Sequence, residues 1–177
     1  TTVYNRTLER AEDWVEQYKG VLASTPAEAS IGAEVVMLCV GNDNDVRAVV
    51  YGEDGVLAGM SEGSVLVDHT TASAELAREL GKATADRGIG FIDAPISGGQ
   101  VGAENGHLSV MCGGDLQIFE RIKSIIDAYA KAIVLVGPVG HGQLTKMVNQ
   151  VCIGGLVQGL AEALNFSRKA GLDTDKV

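Results

Sequence analysis

The chain predicts a doubly wound α/β fold with a mostly parallel sheet, followed by one long helix. Short apolar runs alternate with longer amphipathic ones across residues 1–138. The central runs, such as Val35–Val40 and Val65–Val67, are apolar throughout, as strands covered on both faces are. From Gln143 to Ala170 no proline or strand-like run interrupts the sequence.

Each element has its own signal. Thr2-Val3-Tyr4 reads as a strand entering a helix that runs from about Thr7 to Lys19-Gly20. Thr25-Pro26-Ala27-Glu28 opens a second helix, with a capping hydroxyl, Pro at the first helical position and Glu at the third. Val35–Val40 is a strand, Asn44–Val50 a helix, Val65–Val67 a strand and Ser73–Arg87 a helix. Ile89–Ile92, Leu108–Met111 and Ile133–Val136 complete the strands, with a helix over Asp115–Tyr129 between the last two. Leu144, Met147, Val148, Val151, Leu156, Leu160 and Leu164 recur at helical spacing, and Gly171 can cap that long helix. The flanking apolar residues suggest that the helix is substantially buried, on further helices or on a partner subunit. A boundary near Gly137–Gly142 divides the chain into residues 1–138 and 139–177. No G-x-G-x-x-G follows any strand, so a first strand and helix of about 25 to 30 residues are expected upstream of Thr1.

Composition narrows the function. With 177 residues and 46% apolar side chains, the chain can bury a proper core. A net charge of -9 argues against nucleic acid or an anionic membrane as partner. No apolar run is long enough to span a bilayer and no signal peptide is visible, which points to the cytoplasm, although the chain does not begin with Met. Cys39, Cys112 and Cys152 are far apart among apolar neighbours, the pattern of buried free thiols. His69, His107 and His141 show no ligand spacing, and no metal site is expected.

Chemistry concentrates where strands end, since ligands of such folds sit beyond the carboxyl ends of the strands. Asn5-Arg6-Thr7 offers a cation where an NAD site usually has an acid, which favours NADP, while NAD stays possible. The same residues also read as a solvated Arg before a helix capped by Thr7. Val40-Gly41-Asn42 lets backbone approach a ligand, or makes an ordinary strand-to-helix turn. Asp68-His69-Thr70-Thr71 ends the next strand in hydroxyls, of which Thr71 or Ser73 could cap a helix or meet a nicotinamide ribose. His69 is a weaker candidate proton carrier. Ser97-Gly98-Gly99 follows a strand in a passage with further glycines at 102 and 106, and its open backbone amides suit a carboxylate. Lys146 and Asn149 lie three apart, on one helical face, and a lysine turned into a dry cleft can exchange protons.

Together these stretches resemble the β-hydroxyacid dehydrogenase family. The specific elements are Asn5-Arg6-Thr7, Asp68 to Thr71, Asp93-Ala94-Pro95-Ile96-Ser97-Gly98-Gly99, and the run from Gly140 through Gly142 and Lys146 to Asn149. The resemblance implies a Rossmann-like domain, incomplete at its start, followed by the long first helix of an all-α C-terminal domain, and an oxidoreductase transferring hydride between a nicotinamide cofactor and a small β-hydroxy acid. The first substrate it implies is 3-hydroxyisobutyrate with its semialdehyde, and the alternative is tartronate semialdehyde. Lys146 would be the catalytic acid/base and Asn149 would orient substrate and lysine. Ser97, Gly98 and Gly99 would hold the substrate carboxylate. Val40, Gly41, Asn42 and Thr71 would touch the nicotinamide half of the cofactor, and Asn5, Arg6 and Thr7 the adenosine 2′-phosphate. A homo-oligomer, dimer or tetramer, would form through the C-terminal helical domain. The stretch alone would be inactive for want of the glycine motif. Gln150 stands where many relatives have Asn. A non-catalytic cofactor-binding or assembly module is the alternative of another class, and a sugar-acid phosphate is a further substrate alternative.

Overall fold

The computed structural model describes residues 1–177. Strand β1 (Thr2–Val3) leads into helix α1 (Leu8–Tyr18) and pairs in parallel with β2 (Val21–Leu22). Then follow α2 (Pro26–Ser30), β3 (Val35–Leu38), α3 (Asp43–Val50), α4 (Val56–Gly59) and β4 (Val65–Asp68). The chain continues through α5 (Ala74–Ala85), β5 (Gly90–Asp93), β6 (Ile96–Ser97), α6 (Gly99–Glu104) and β7 (Leu108–Gly114). It ends with α7 (Leu116–Ile126), β8 (Ala130–Gly137) and α8 (His141–Lys169).

The main sheet has six strands, with β3, β4 and β5 parallel and in that order. Strand β4 shows why it is central. Val65, Leu66 and Val67 are all fully buried. Successive side chains of a strand point to opposite faces. Leu66 accordingly joins Leu38, Val46, Leu76, Leu80 and Phe91 on one side of the sheet. Val65 and Val67 join Ile92, Val110, Phe119, Ile122 and Ile126 on the other. Helices α3 and α5 cover the first face and α7 the second, as a doubly wound sheet requires.

Side-chain caps fix several helix starts. The Thr25 hydroxyl accepts from the Glu28 amide at 3.1 Å, and the Glu28 carboxylate accepts from the Ser24 amide at 2.8 Å. Ser73 caps α5 through the Leu76 amide, and Asp115 caps α7 through Gln117 and Ile118. Thr7 sits at the cap position of α1, but its amide donates to the Asn5 side chain instead.

Four features bear on these expectations, and the third corrects one. The sheet is mostly parallel, as the strand rhythm predicts, with one reversal: β7 runs antiparallel to β5 and β6, and β8 is parallel to β7. A parallel return needs a crossover of about a dozen residues or more. The link from β6 to β7, built on the six-residue α6, is too short. Second, β1 does not join the main sheet and pairs only with β2. Third, Cys112 is buried, but Cys39 and Cys152 are exposed free thiols, one just past the end of β3 and one on the open face of α8. Fourth, α8 is buried only near its start, at Gly142, Gln143 and Lys146, and again at Ser167. Leu144, Met147, Val148, Val151, Leu156 and Leu160 are exposed, because nothing in this chain packs over that face. No helix is long and apolar enough to cross a membrane.

Leu66→Ala removes a fully buried side chain from the first core cluster. It is expected to lower the unfolding free energy by about 2–5 kcal/mol, read from urea denaturation.

Candidate functional site

The carboxyl ends of β3, β4 and β5 are joined by side chains. After β3, the Val40 amide donates to the Thr70 hydroxyl at 3.0 Å. Asn42 caps α3: its carbonyl oxygen accepts from Asn44 and Asp45 amides, and its Nδ2 donates to Asp45 at 2.9 Å. Asp45 also meets the Arg6 guanidinium at 3.2 Å, across from β1. Between β1 and β3 lies a cavity of about 680 Å³. Asn5, Arg6, Thr7, Val40 and Gly41 all line it.

After β4, Asp68 accepts from the Thr70 amide at 2.9 Å. Burial pushes this carboxyl up to about 6, against the pull of its Thr70 bonds, and the nearby Asp93 pushes the same way. His69 is a structural tie. Its Nδ1 lies 2.7 Å from the Ala94 carbonyl, which can only accept, so Nδ1 carries the proton and Nε2 accepts from the Tyr129 hydroxyl at 2.8 Å. Burial lowers the His69 pKa and raises that of Tyr129, which keeps the ring neutral and the phenol a donor. Ser73 donates its amide and hydroxyl to Asp43, which holds that carboxylate below its ordinary value.

After β5 comes the junction with α8. Asp93, fully buried, accepts from the Gly140 amide at 2.7 Å and from the Gln143 amide at 2.9 Å. Burial raises its pKa and these amide bonds oppose the rise. The helix lies so close that a Cβ on Gly142 would stand 2.4 Å from the Met111 carbonyl oxygen and 2.6 Å from that of Asp93. Only glycine fits there. Gln143, 1% exposed, reaches back to β4: its Oε1 accepts from the Ala72 amide at 3.0 Å and its Nε2 donates to the Thr70 carbonyl at 2.7 Å.

Lys146 follows one turn later and is 8% exposed, the one buried cation of the chain. Asn149 is half-buried, with Nδ2 3.4 Å from Gln150 Oε1. Ser97 is half-buried in β6, opposite Ser109 of β7. Gly98 and Gly99 are exposed and have φ of +134° and +62°, conformations that side chains rarely adopt. Asn5, Arg6, Thr7, Val40 and Gly41 thus share one cavity, whereas Asn42 and Thr71 do not line it, nor do Lys146, Asn149, Ser97, Gly98 and Gly99. Asp93, Gln143 and Thr70 stand within the stretches that the sequence singles out, but sequence reasoning gave them no role. Asp93 had one visible signal, an acid closing an apolar strand just before a glycine-rich passage.

A doubly wound sheet with open loops at the carboxyl ends of its strands defines the dinucleotide-binding class of α/β proteins. The family model described as the NAD binding domain of 6-phosphogluconate dehydrogenase matches residues 1–137. The chain belongs to this family of oxidoreductases, within the β-hydroxyacid dehydrogenases. It is 58% identical over 176 residues to an uncharacterized oxidoreductase of Shewanella frigidimarina, covering 99% of this chain and 60% of that protein. It is 33% identical over 171 residues to 2-hydroxy-3-oxopropionate reductase of Escherichia coli, covering 97% and 59%. A solved 3-hydroxyisobutyrate dehydrogenase of Mycobacterium tuberculosis, with L-serine, superposes with a TM-score of 0.86 at 28% identity. That match covers 94% of this chain and 56% of the other. The chain therefore spans about three fifths of the length of these relatives.

The raised Asp68 pKa makes stability depend on pH. A carboxyl held above its ordinary value of 3.8, at about 6, binds its proton more readily in the folded protein. Its stabilising contribution is fully present below the unfolded value and is lost as pH rises through about 6. Asp68→Asn removes this titration. The stability lost by wild type between pH 4 and pH 7 is expected to exceed that lost by the variant by up to about 3 kcal/mol, measured by denaturation at each pH.

Proposed function

We propose that the chain carries the coenzyme edge and the proton-transfer lysine of an NAD(P)-dependent enzyme acting on a small β-hydroxy acid, with 3-hydroxyisobutyrate as first substrate. The single observation that carries this reading is the burial of Lys146. Its neighbours Leu144, Met147 and Val148 are 45%, 40% and 65% exposed, yet the lysine is turned inward. An apolar side chain would fill such a position more cheaply, so a cation there points to use.

When bound, the nicotinamide coenzyme takes up or supplies the hydride. The residues of this chain do the rest. Lys146 takes the proton of the carbinol hydroxyl at Nζ during oxidation and returns it to the developing alkoxide during reduction. Asn149, one turn further on, orients the hydroxyl between itself and the lysine. The positive φ at Gly98 and Gly99 leaves their amides open to a carboxylate, with the Ser97 hydroxyl beside them. Val40, Gly41, Asn42 and Thr71 border the nicotinamide half.

Asn5, Arg6 and Thr7, at the end of β1, fit the adenosine end of a dinucleotide. Arg6 is largely exposed beside Asn5 and Thr7, its only ion-pair partner being Asp45. A guanidinium suits a phosphate, and this favours NADP over NAD. The exposed apolar face of α8 supports assembly into a homo-oligomer through the C-terminal helix.

Lys146→Ala is expected to lower kcat of the complete protein about 100- to 10,000-fold with coenzyme binding nearly intact, measured by steady-state kinetics and coenzyme titration. An active variant would sink the role given to Lys146. Arg6→Ala is expected to reduce kcat/KM with NADP about 10- to 100-fold, with little change for NAD. Equal losses for the two coenzymes would remove the phosphate from Arg6.

A further inference from the structure

We propose that Gln143 is a positioning residue: it couples Lys146 to the coenzyme edge of the sheet by clamping the backbone on both sides of Thr71. The inference rests on the oxidoreductase reading given above. Gln143 and Lys146 lie three apart on α8, so they share one face of its opening turns. Both are buried, while Leu144, between them in sequence, is exposed.

The chemistry of the contacts explains why the residue is glutamine. The Ala72 amide can only donate and the Thr70 carbonyl can only accept. One side chain must therefore present an acceptor and a donor side by side, and must have the reach to do so from α8. Leucine and methionine offer neither. Ionised glutamate accepts but cannot donate. Reversing the amide by 180° would oppose like groups at both contacts, so its orientation is fixed.

The bonds continue beyond the clamp. Thr70 donates its amide to Asp68 and accepts from the Val40 amide at its hydroxyl. A connected path thus runs from the Val40 loop of the cavity through Thr70 to Gln143, and one turn along α8 to Lys146. On the other side, the Gln143 amide is bonded to Asp93, so the residue is anchored to β5 while it holds the loop after β4. Asp93 fixes where α8 starts, and Gln143 fixes how its first turns sit over Thr71. A displacement of the order of 1 Å at a reacting group can cost about 100-fold in rate.

The test is a double-mutant cycle in the complete protein. Gln143→Met keeps the length of the side chain and removes both hydrogen bonds. It is expected to lower kcat about 10- to 100-fold with cooperative unfolding retained. In a Lys146→Ala background, the same substitution is expected to have no further effect on kcat, because a residue that acts through the lysine has nothing left to position. If Gln143→Met lowers kcat equally in both backgrounds, or in neither, the proposal is overturned. Should Gln143→Met fail to fold, Gln143→Glu keeps the acceptor for Ala72 and is carried through the same cycle with the same criteria. A wild-type protein that turns over no β-hydroxy acid overturns the oxidoreductase reading and this inference with it. Wild-type turnover with an additive cycle overturns the role of Gln143 alone.

Discussion

The site depends on one buried carboxylate. Asp93 closes β5 inside the protein, fully out of solvent, and its two oxygens receive amides from the opening of α8. A carboxylate loses much by leaving water, and hydrogen bonds to a charged group are worth about 1.5–3 kcal/mol, more than neutral ones. The amides at a helix start have no partners within the helix and carry partial positive charge. Each side thus satisfies a need of the other. The fit also requires Gly142, whose missing side chain lets the helix lie against the carbonyls of Met111 and Asp93. Everything that α8 presents to the sheet edge, Lys146 included, takes its place from this junction.

A second constraint acts at the neighbouring strand. Asp68 and Asp93 end adjacent parallel strands and pair directly in register. Two acids so placed oppose each other's ionisation, and burial works in the same direction. Asp93 has amides of α8 to stabilise its charge, whereas Asp68 has the Thr70 amide and hydroxyl. Both carboxyls are raised, Asp68 to about 6. Its bond to Thr70 nevertheless shapes the loop that Gln143 grips, so the cost of burying this group is tied to the geometry of the coenzyme edge.

Much of the fold was legible because the sequence repeats its signals locally. Strands β4 and β5 are short apolar runs, and α5 and α7 begin at side-chain caps that stand one residue before the helix. Strands β2 and β6 have two residues each, too few to show any period. The direction of β7 depends on the length of its connection, not on its composition. Lys146, Asn149 and Ser97 were singled out by residue type and by position at a strand edge or helix start, and their roles are those proposed above. Asp93 and Gln143 were not, because their partners are backbone groups 47 to 73 residues away. A backbone amide carries no residue code, so a side chain that serves it leaves no pattern of paired residues to find. The exposure of Cys39 was hidden for a related reason: apolar neighbours in sequence do not tell which strand lies at an edge.

Helix α8 joins two kinds of surface. Its first turns are held by hydrogen bonds to Asp93, Thr70 and Ala72, directional contacts that define position to a fraction of an ångström. Beyond Val148 its apolar side chains stand exposed, and Gly154, Gly155 and Gly159 have no atom within 4 Å of where a Cβ would lie. Hydrophobic contact is not directional, so whatever covers that face can add stability without dictating where the first turn sits. The helix can thus be rigid at its start and permissive in what packs along the rest of it. This separation places the demand for precision on a few polar residues around α8's start, which is where the buried lysine is found.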